Sequence, residues 1–218
     1  MSDFYSPEVK LYIFDLDGTL VNTENPVLSY WNRALYNLGF DPEIFPYFKL
    51  VGSSSVDWKQ ELKSLYGDGF PMDKFENEFL KEKNMLNQEN TKALPGAKEV
   101  LTFLKEKNKK CAIATANVLW KAKLLLKNAG LYDFFSFICT SEDVEHQKPD
   151  PAIYNLALKL GACDPKCARA IEDSFIGAQA AQSAGIPLTL IPSFTMTEDL
   201  LHQLSYDRIC ASLIDLIP

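Results

Sequence analysis

Short apolar runs alternating with helix-patterned segments constrain this 218-residue chain more than any other feature. Residues 10 to 15 (KLYIFD), 110 to 115 (KCAIAT), 135 to 140 (FSFICT), 168 to 173 (ARAIED) and 186 to 191 (IPLTLI) are apolar runs of strand length. That is the pattern of strands buried on both faces of a parallel sheet. Between them, residues 97 to 107, 119 to 130, 151 to 162 and 176 to 185 repeat apolar residues at helical spacing. Two of these segments close on Gly130 and Gly185, which suit a left-handed helix cap. Strand, helix and strand in this order require crossover connections, so the expected fold is α/β, an open doubly wound and mainly parallel sheet flanked by helices. Ligands collect outside the carboxyl ends of such strands, and the polar residues that close the runs are therefore read together.

Residues 25 to about 92 break the rhythm. Helix-like patches at 26 to 38, 56 to 66 and 73 to 89 are separated by FDPEIFP and YGDGFP, with no convincing buried strand. The expectation is a helical insertion, residues 23–92, within a core made of residues 1–22 and 93–218. Pro95 and Gly96 mark the return by opening the next helix. With 47% hydrophobic residues the chain can bury enough apolar surface to offset ordering entropy in one large α/β domain with a smaller insertion. Trp31, Trp58 and Trp120 are expected to pack, with Trp58 a second candidate for lining a pocket.

A formal charge of -7 repels nucleic acid and anionic lipid, and the short KNKK at 107 to 110 reads as a solvated helix end. The Met1 end carries no charged-then-apolar leader, and no apolar run approaches the roughly 20 residues that a bilayer requires. A cytoplasmic protein with no nucleic-acid or membrane partner is expected, monomeric by default. Five cysteines without a close C-x-x-C pair indicate neither a disulfide framework nor a zinc site.

The strand ends supply Asp15 and Asp17, Thr115 with Asn117, Lys148, and the pair Glu172 and Asp173. Two carboxylates about 4 Å apart repel by about 4 kcal/mol at an effective dielectric of about 20, so ionised acids gathered at one edge require a cation. Hard oxygen donors favour Mg²⁺, which shares carboxylates with a substrate phosphate. A carboxylate that attacks phosphorus forms an aspartyl phosphate and divides phosphoryl transfer into two displacements. Asp15, which ends the strand directly, is read as the nucleophile, and Asp17, on the turn, as the acid and then base. Gly18 permits the tight turn that brings backbone N–H groups toward phosphate. Thr115 and Lys148 are phosphate-binding donors, and Asp173 with Glu172 completes the metal set of Asp15, Asp17, Asp173 and Glu172. Glu172 either ligates or supports Lys148, and Asn117 either touches substrate or caps the following helix.

FDLDGTL, IATAN, KPDP and IEDSFIGAQAAQSAG resemble, in order, the four motifs of the haloacid dehalogenase superfamily. LDGTLVNTE and the helical insertion are similar to its subgroup with an α-helical cap, which holds β-phosphoglucomutases and many small-molecule phosphatases. The resemblance implies a Rossmann-like core and a cap that opens and closes over the substrate. It implies Asp15 as nucleophile, Asp17 as acid/base and backbone metal ligand, Thr115 and Lys148 as phosphate binders, and Asp173 as metal ligand. Dehalogenase members lack the second aspartate, and Lys49, Lys59 and Lys63 match no phosphonatase pattern. Mutases carry a cap histidine where this chain has Val27 and a basic residue where it has Val56. Asn22 stands where relatives often have aspartate. Gly52 and Ser53, with Ser54 and Ser55, are expected in a cap loop that reaches the substrate, or in a solvated turn before the next helix. The expected activity is hydrolysis of a small phosphate ester. The alternatives are a sugar phosphomutase and an idle member that binds phosphate or a partner.

Overall fold

The computed structural model describes residues 4–44, 58–86, 91–193 and 196–217. The chain divides into two compact units, Met1–Asn22 with Thr91–Pro218, and Thr23–Asn90.

The larger unit is built on a six-stranded parallel sheet. Its strands are β1 (Leu11–Phe14), β2 (Lys110–Ala114), β3 (Phe137–Cys139), β4 (Ala168–Glu172), β5 (Leu188–Leu190) and β6 (Arg208–Ile209), in the order β3-β2-β1-β4-β5-β6. Side chains alternate along β1: Tyr12 and Phe14 enter one core, Leu11 and Ile13 the other. Helices α4 (Ala97–Glu106) and α5 (Leu119–Asn128) cover the first face through Leu101, Leu104, Leu125 and Leu126. Helices α6 (Ala152–Gly161) and α7 (Phe175–Ser183) cover the second through Ile153, Ala157, Ala178 and Ala181. A sheet covered on both faces requires apolar residues at every position of its central strand, and all four residues of β1 are fully buried.

The register determines where the chain leaves each strand. Phe14 pairs with Ile113 on one side and Ile171 on the other, so Asp15, Thr115 and Asp173 emerge at the same rim. Asp15 N–H still donates to Ile171 O at 2.9 Å, and Thr115 N–H to Cys139 O at 3.0 Å, which ties both residues to the sheet. Gly130 and Gly185 take the expected left-handed conformation after α5 and α7, with φ of 68° and 72°.

Three local expectations change. The sheet has a sixth strand, β6, two residues long on the edge, where Arg208 and Ile209 give too short a pattern to read. Trp120 is exposed on α5 (68%) and does not pack in the core. The KNKK stretch is not merely a solvated helix end: Lys109 Nζ donates to the carbonyls of Ser6, Pro7 and Val9 at 3.1, 3.2 and 2.6 Å and anchors the segment leading into β1.

In the smaller unit, α1 (Glu24–Asn37), α2 (Trp58–Tyr66) and α3 (Met72–Leu86) surround Trp31, Leu35, Leu62, Phe70 and Phe75. Trp58 packs edge-on against Trp31 at 5.6 Å, which accounts for it as a packing residue. Glu82, nearly buried, is bonded by Arg33 (3.4 Å) and Asn37 (3.2 Å), so α1 and α3 share a satisfied polar contact. Among the described residues no helix is long and apolar enough to cross a membrane.

Candidate active site

The turn after β1 is closed by its own backbone. Gly18 N–H donates to Val21 O (2.9 Å) and Leu20 N–H to Leu16 O (3.0 Å), which fixes Asp15 and Asp17 on either side of buried Leu16. Gly18 has φ +79°, and a Cβ there would lie 2.9 Å from the Asp173 carboxyl carbon, so backbone conformation and the close approach of Asp173 both require glycine. Thr19 Oγ1 donates to Asp173 Oδ1 at 3.3 Å and fastens that acid to the same turn.

Lys148 arrives from the loop between β3 and α6 and is almost wholly buried. Its Nζ donates to Asp15 Oδ1 (2.7 Å), Glu172 Oε1 (2.6 Å) and Ala114 O (3.0 Å), which uses its three protons. Glu172, with no exposed surface, is held on both oxygens. Oε1 also accepts from Tyr154 Oη at 2.9 Å, and Oε2 accepts from Ser174 Oγ (3.1 Å) and Asp173 N–H (3.2 Å). A Cβ on Gly177 would collide with this carboxylate, so α7 approaches β4 this closely only through glycine. Sequence reasoning singles out neither Tyr154 nor Ser174. Tyr154 occupies an apolar stripe position in α6, and Ser174 has the form of an ordinary helix cap, a role it also fills by accepting from Gly177 N–H at 3.2 Å.

Asp15, Glu172 and Asp173 each offer a carboxylate oxygen within 4.8 Å of the others, all three residues being buried. Three such acids beside the ammonium of Lys148 leave two negative charges uncompensated if all are ionised. Burial pushes the Asp15 carboxyl well above the ordinary carboxylate range; Lys148 opposes this, while Glu172 and Asp17 add to it. Burial also works against the Lys148 charge, but Asp15 and Glu172 outweigh it and hold the ammonium above its ordinary value. The two directions disagree, since a neutral Asp15 would remove one of the anions that keep Lys148 charged. The lysine's direction governs the pair, because two carboxylate oxygens lie within hydrogen-bond reach of it. Three buried acids beside the Lys148 ammonium hold negative charge that a further cation would relieve. Hard, clustered oxygen donors fit a divalent ion.

The Asp17 carboxylate faces a different set of partners, in keeping with an acid/base role separate from the carboxylates of the cluster. Among the described residues the carboxylate trio does not include it. Its Oδ2 accepts from Asn117 Nδ2 and, at 3.5 Å, from Thr115 Oγ1. Leu16, between the two acids, lies in the core, and the Asp17 carboxylate meets the residues that follow β2. Thr115 Oγ1 accepts from Asn117 N–H (3.1 Å) and Nδ2 (3.0 Å), so Thr115 and Asn117 together hold Asp17. Asn117 is not the cap of α5, a position taken by Val118. Gly52 and Ser53 lie outside the described residues.

The chain is similar to known proteins over most of its length. Residues 12–191 match the family model described as haloacid dehalogenase-like hydrolase. A phosphorylated carbohydrates phosphatase from Thermotoga maritima is 30% identical over 80% of this chain and 81% of its own length. A HAD family hydrolase from Deinococcus radiodurans R1, solved with bound phosphate and sodium, superposes with a TM-score of 0.80 at 25% identity, covering 97% of this chain and 94% of that one. CbbY from Rhodobacter sphaeroides in complex with phosphate gives a TM-score of 0.70 at 25% identity, covering 95% and 96%.

Proposed function

Because the chain belongs to the haloacid dehalogenase-like hydrolases, we propose that it is a Mg²⁺-dependent phosphatase that hydrolyses a small phosphorylated metabolite, a sugar or polyol phosphate, through an aspartyl-phosphate intermediate. The observation that supports this most is the buried Asp15 carboxylate at the end of β1, 2.7 Å from Lys148 and grouped with Glu172 and Asp173. The substrate class takes its support from the carbohydrate-phosphate relative. Phosphatase is preferred to mutase because Val27 and Val56 replace the cap groups that would retain a second phosphate.

In this reading an Asp15 carboxylate oxygen attacks phosphorus and the bond from phosphorus to the ester oxygen breaks. Asp17, turned from Asn117 and protonated, gives its proton to the departing oxygen. Water then attacks the aspartyl phosphate, Asp17 takes a proton from it, and phosphate leaves with Asp15 restored. Lys148, released from Asp15 as that carboxylate bonds phosphorus, and Thr115, released from Asp17 as it turns, donate to the phosphoryl oxygens, and Gly18 allows backbone N–H groups to approach them. Asp15 and Asp173, with the Asp17 carbonyl, would hold Mg²⁺, which would supply neutralisation of the clustered acids and polarisation of the phosphoryl group. Glu172, bonded on both oxygens, serves as the support of Lys148. Residues 23–90 are assigned as the cap, and the protein as a cytoplasmic monomer.

The test is phosphate release from an aryl phosphate and from a panel of sugar, polyol and nucleotide phosphates. Turnover is expected with Mg²⁺, with loss on the order of 100-fold or more in EDTA and recovery on adding excess Mg²⁺. No turnover across the panel would favour the idle, phosphate-binding alternative. Equal turnover with and without EDTA would exclude the metal.

A further inference from the structure

The inward stripe of α6 is Ile153, Tyr154, Ala157, Leu158 and Gly161, and it carries a single side-chain hydroxyl. Tyr154 has no exposed surface, and a buried hydroxyl is costly unless it is bonded. It is bonded to Glu172 Oε1 at 2.9 Å, the same oxygen that accepts from Lys148 at 2.6 Å. Its ring also faces the ammonium, with Lys148 Nζ 5.3 Å from the centroid. One phenol thus bears on both members of the pair that leads to Asp15. Phenylalanine would fill the same volume and keep the ring contact, so packing alone leaves the hydroxyl unexplained.

We propose that Tyr154 is a positioning residue: its hydroxyl fixes the Glu172 carboxylate so that the Lys148 ammonium is held over Asp15 rather than drawn toward Glu172. Without the hydroxyl, Glu172 Oε1 keeps only its Lys148 bond, and nothing on the α6 side restrains the angle at which it presents that oxygen. The lysine then loses orientation toward the phosphoryl oxygens, where charge changes most during transfer. This inference rests on the phosphatase reading above.

The test is Tyr154→Phe. A charged-group hydrogen bond corresponds to roughly a 10- to 100-fold change, and kcat is expected to fall by about that factor with KM within about twofold. Inhibition by orthovanadate, which adopts the trigonal-bipyramidal arrangement of the transfer, should weaken in parallel, while inhibition by inorganic phosphate changes little. A merely structural role would leave kcat per folded molecule and both inhibition constants unchanged. Leu158→Ala, on the same buried stripe, serves as that control: it should lower the melting temperature without altering the ratio of the two constants. Where Tyr154→Phe does not fold, Tyr154→Met replaces it.

The wild-type protein separates the two claims. A wild type inactive on every phosphate ester defeats the proposed function, while an active wild type with a Tyr154→Phe variant unchanged in kcat and vanadate inhibition defeats this inference alone. Independently of turnover, the Nζ protons of Lys148 followed by ¹⁵N-edited NMR should exchange slowly in the wild type and faster in the variant. Equal exchange in both overturns the inference.

Discussion

Asp15→Asn is expected to reduce turnover by on the order of 10⁴-fold or more, the scale of loss when a covalent nucleophile is removed, while leaving the fold intact. The two side chains have the same shape, so Leu16, Gly18 and the turn they form are undisturbed. The exchange removes one buried negative charge from a group of three acids, and burial already disfavours that charge. The melting temperature measured without metal should therefore be equal to or above the wild-type value, in contrast to the usual outcome of altering a buried polar residue. Steady-state kinetics with Mg²⁺ and a thermal melt decide the matter. Retention of more than about 1% of kcat would refute the nucleophile assignment.

Lys148→Met is expected to damage both stability and activity. It leaves Asp15 and Glu172 buried without the ammonium that bonds them at 2.7 and 2.6 Å. Breaking a buried ion pair from one side costs about 3–5 kcal/mol, because the remaining charges have lost their compensation. For a chain of this size that is a fall in melting temperature on the order of 10 °C. Methionine fills much of the volume vacated by the lysine stem, so the loss is electrostatic rather than a cavity effect. Turnover should fall by on the order of 10³-fold, the magnitude typical of removing a donor aimed at developing charge. A melt within about 2 °C of the wild type would mean that the ion pair carries no stability in solution.

The contrast between the two substitutions comes from charge balance: one removes an excess anion, the other the cation that is paired with both Asp15 and Glu172. A neutral replacement at Asp173, by the same reasoning, belongs with Asp15.

The sheet and the location of the site were legible because a two-face-buried parallel strand has to be apolar throughout. The first polar residue after each run therefore marks where the strand leaves the core. Asp15 and Thr115 obey that rule, while in β4 the first acid, Glu172, is still inside the strand and Asp173 is the residue that leaves it; the pairing of Phe14 with Ile113 and Ile171 brings the three strand ends together. What the pattern could not convey is direction at the level of single side chains. Asp17 presents its carboxylate to Asn117 and Thr115, which residue types alone do not reveal. Tyr154 is inconspicuous because one hydroxyl in an apolar helical stripe has the appearance of core. Its significance depends on Glu172, eighteen residues later in the chain. Edge strand β6 was illegible for a different reason: two residues, one of them Arg208, cannot display a period. The exposed Trp120 shows that an aromatic on a helix does not declare its face when its neighbours Leu119 and Leu124 are also exposed.

Covalent bonding of phosphorus to Asp15 is the claim on which the rest depends, and it is tested by quenching the protein during turnover, reducing with borohydride and sequencing the peptides by mass spectrometry. An acyl phosphate at that position is converted to homoserine, so the expected result is homoserine at residue 15, absent without substrate and absent from Asp15→Asn. Homoserine at residue 17 instead, or steady turnover with no reducible acyl phosphate on any carboxylate, would contradict it.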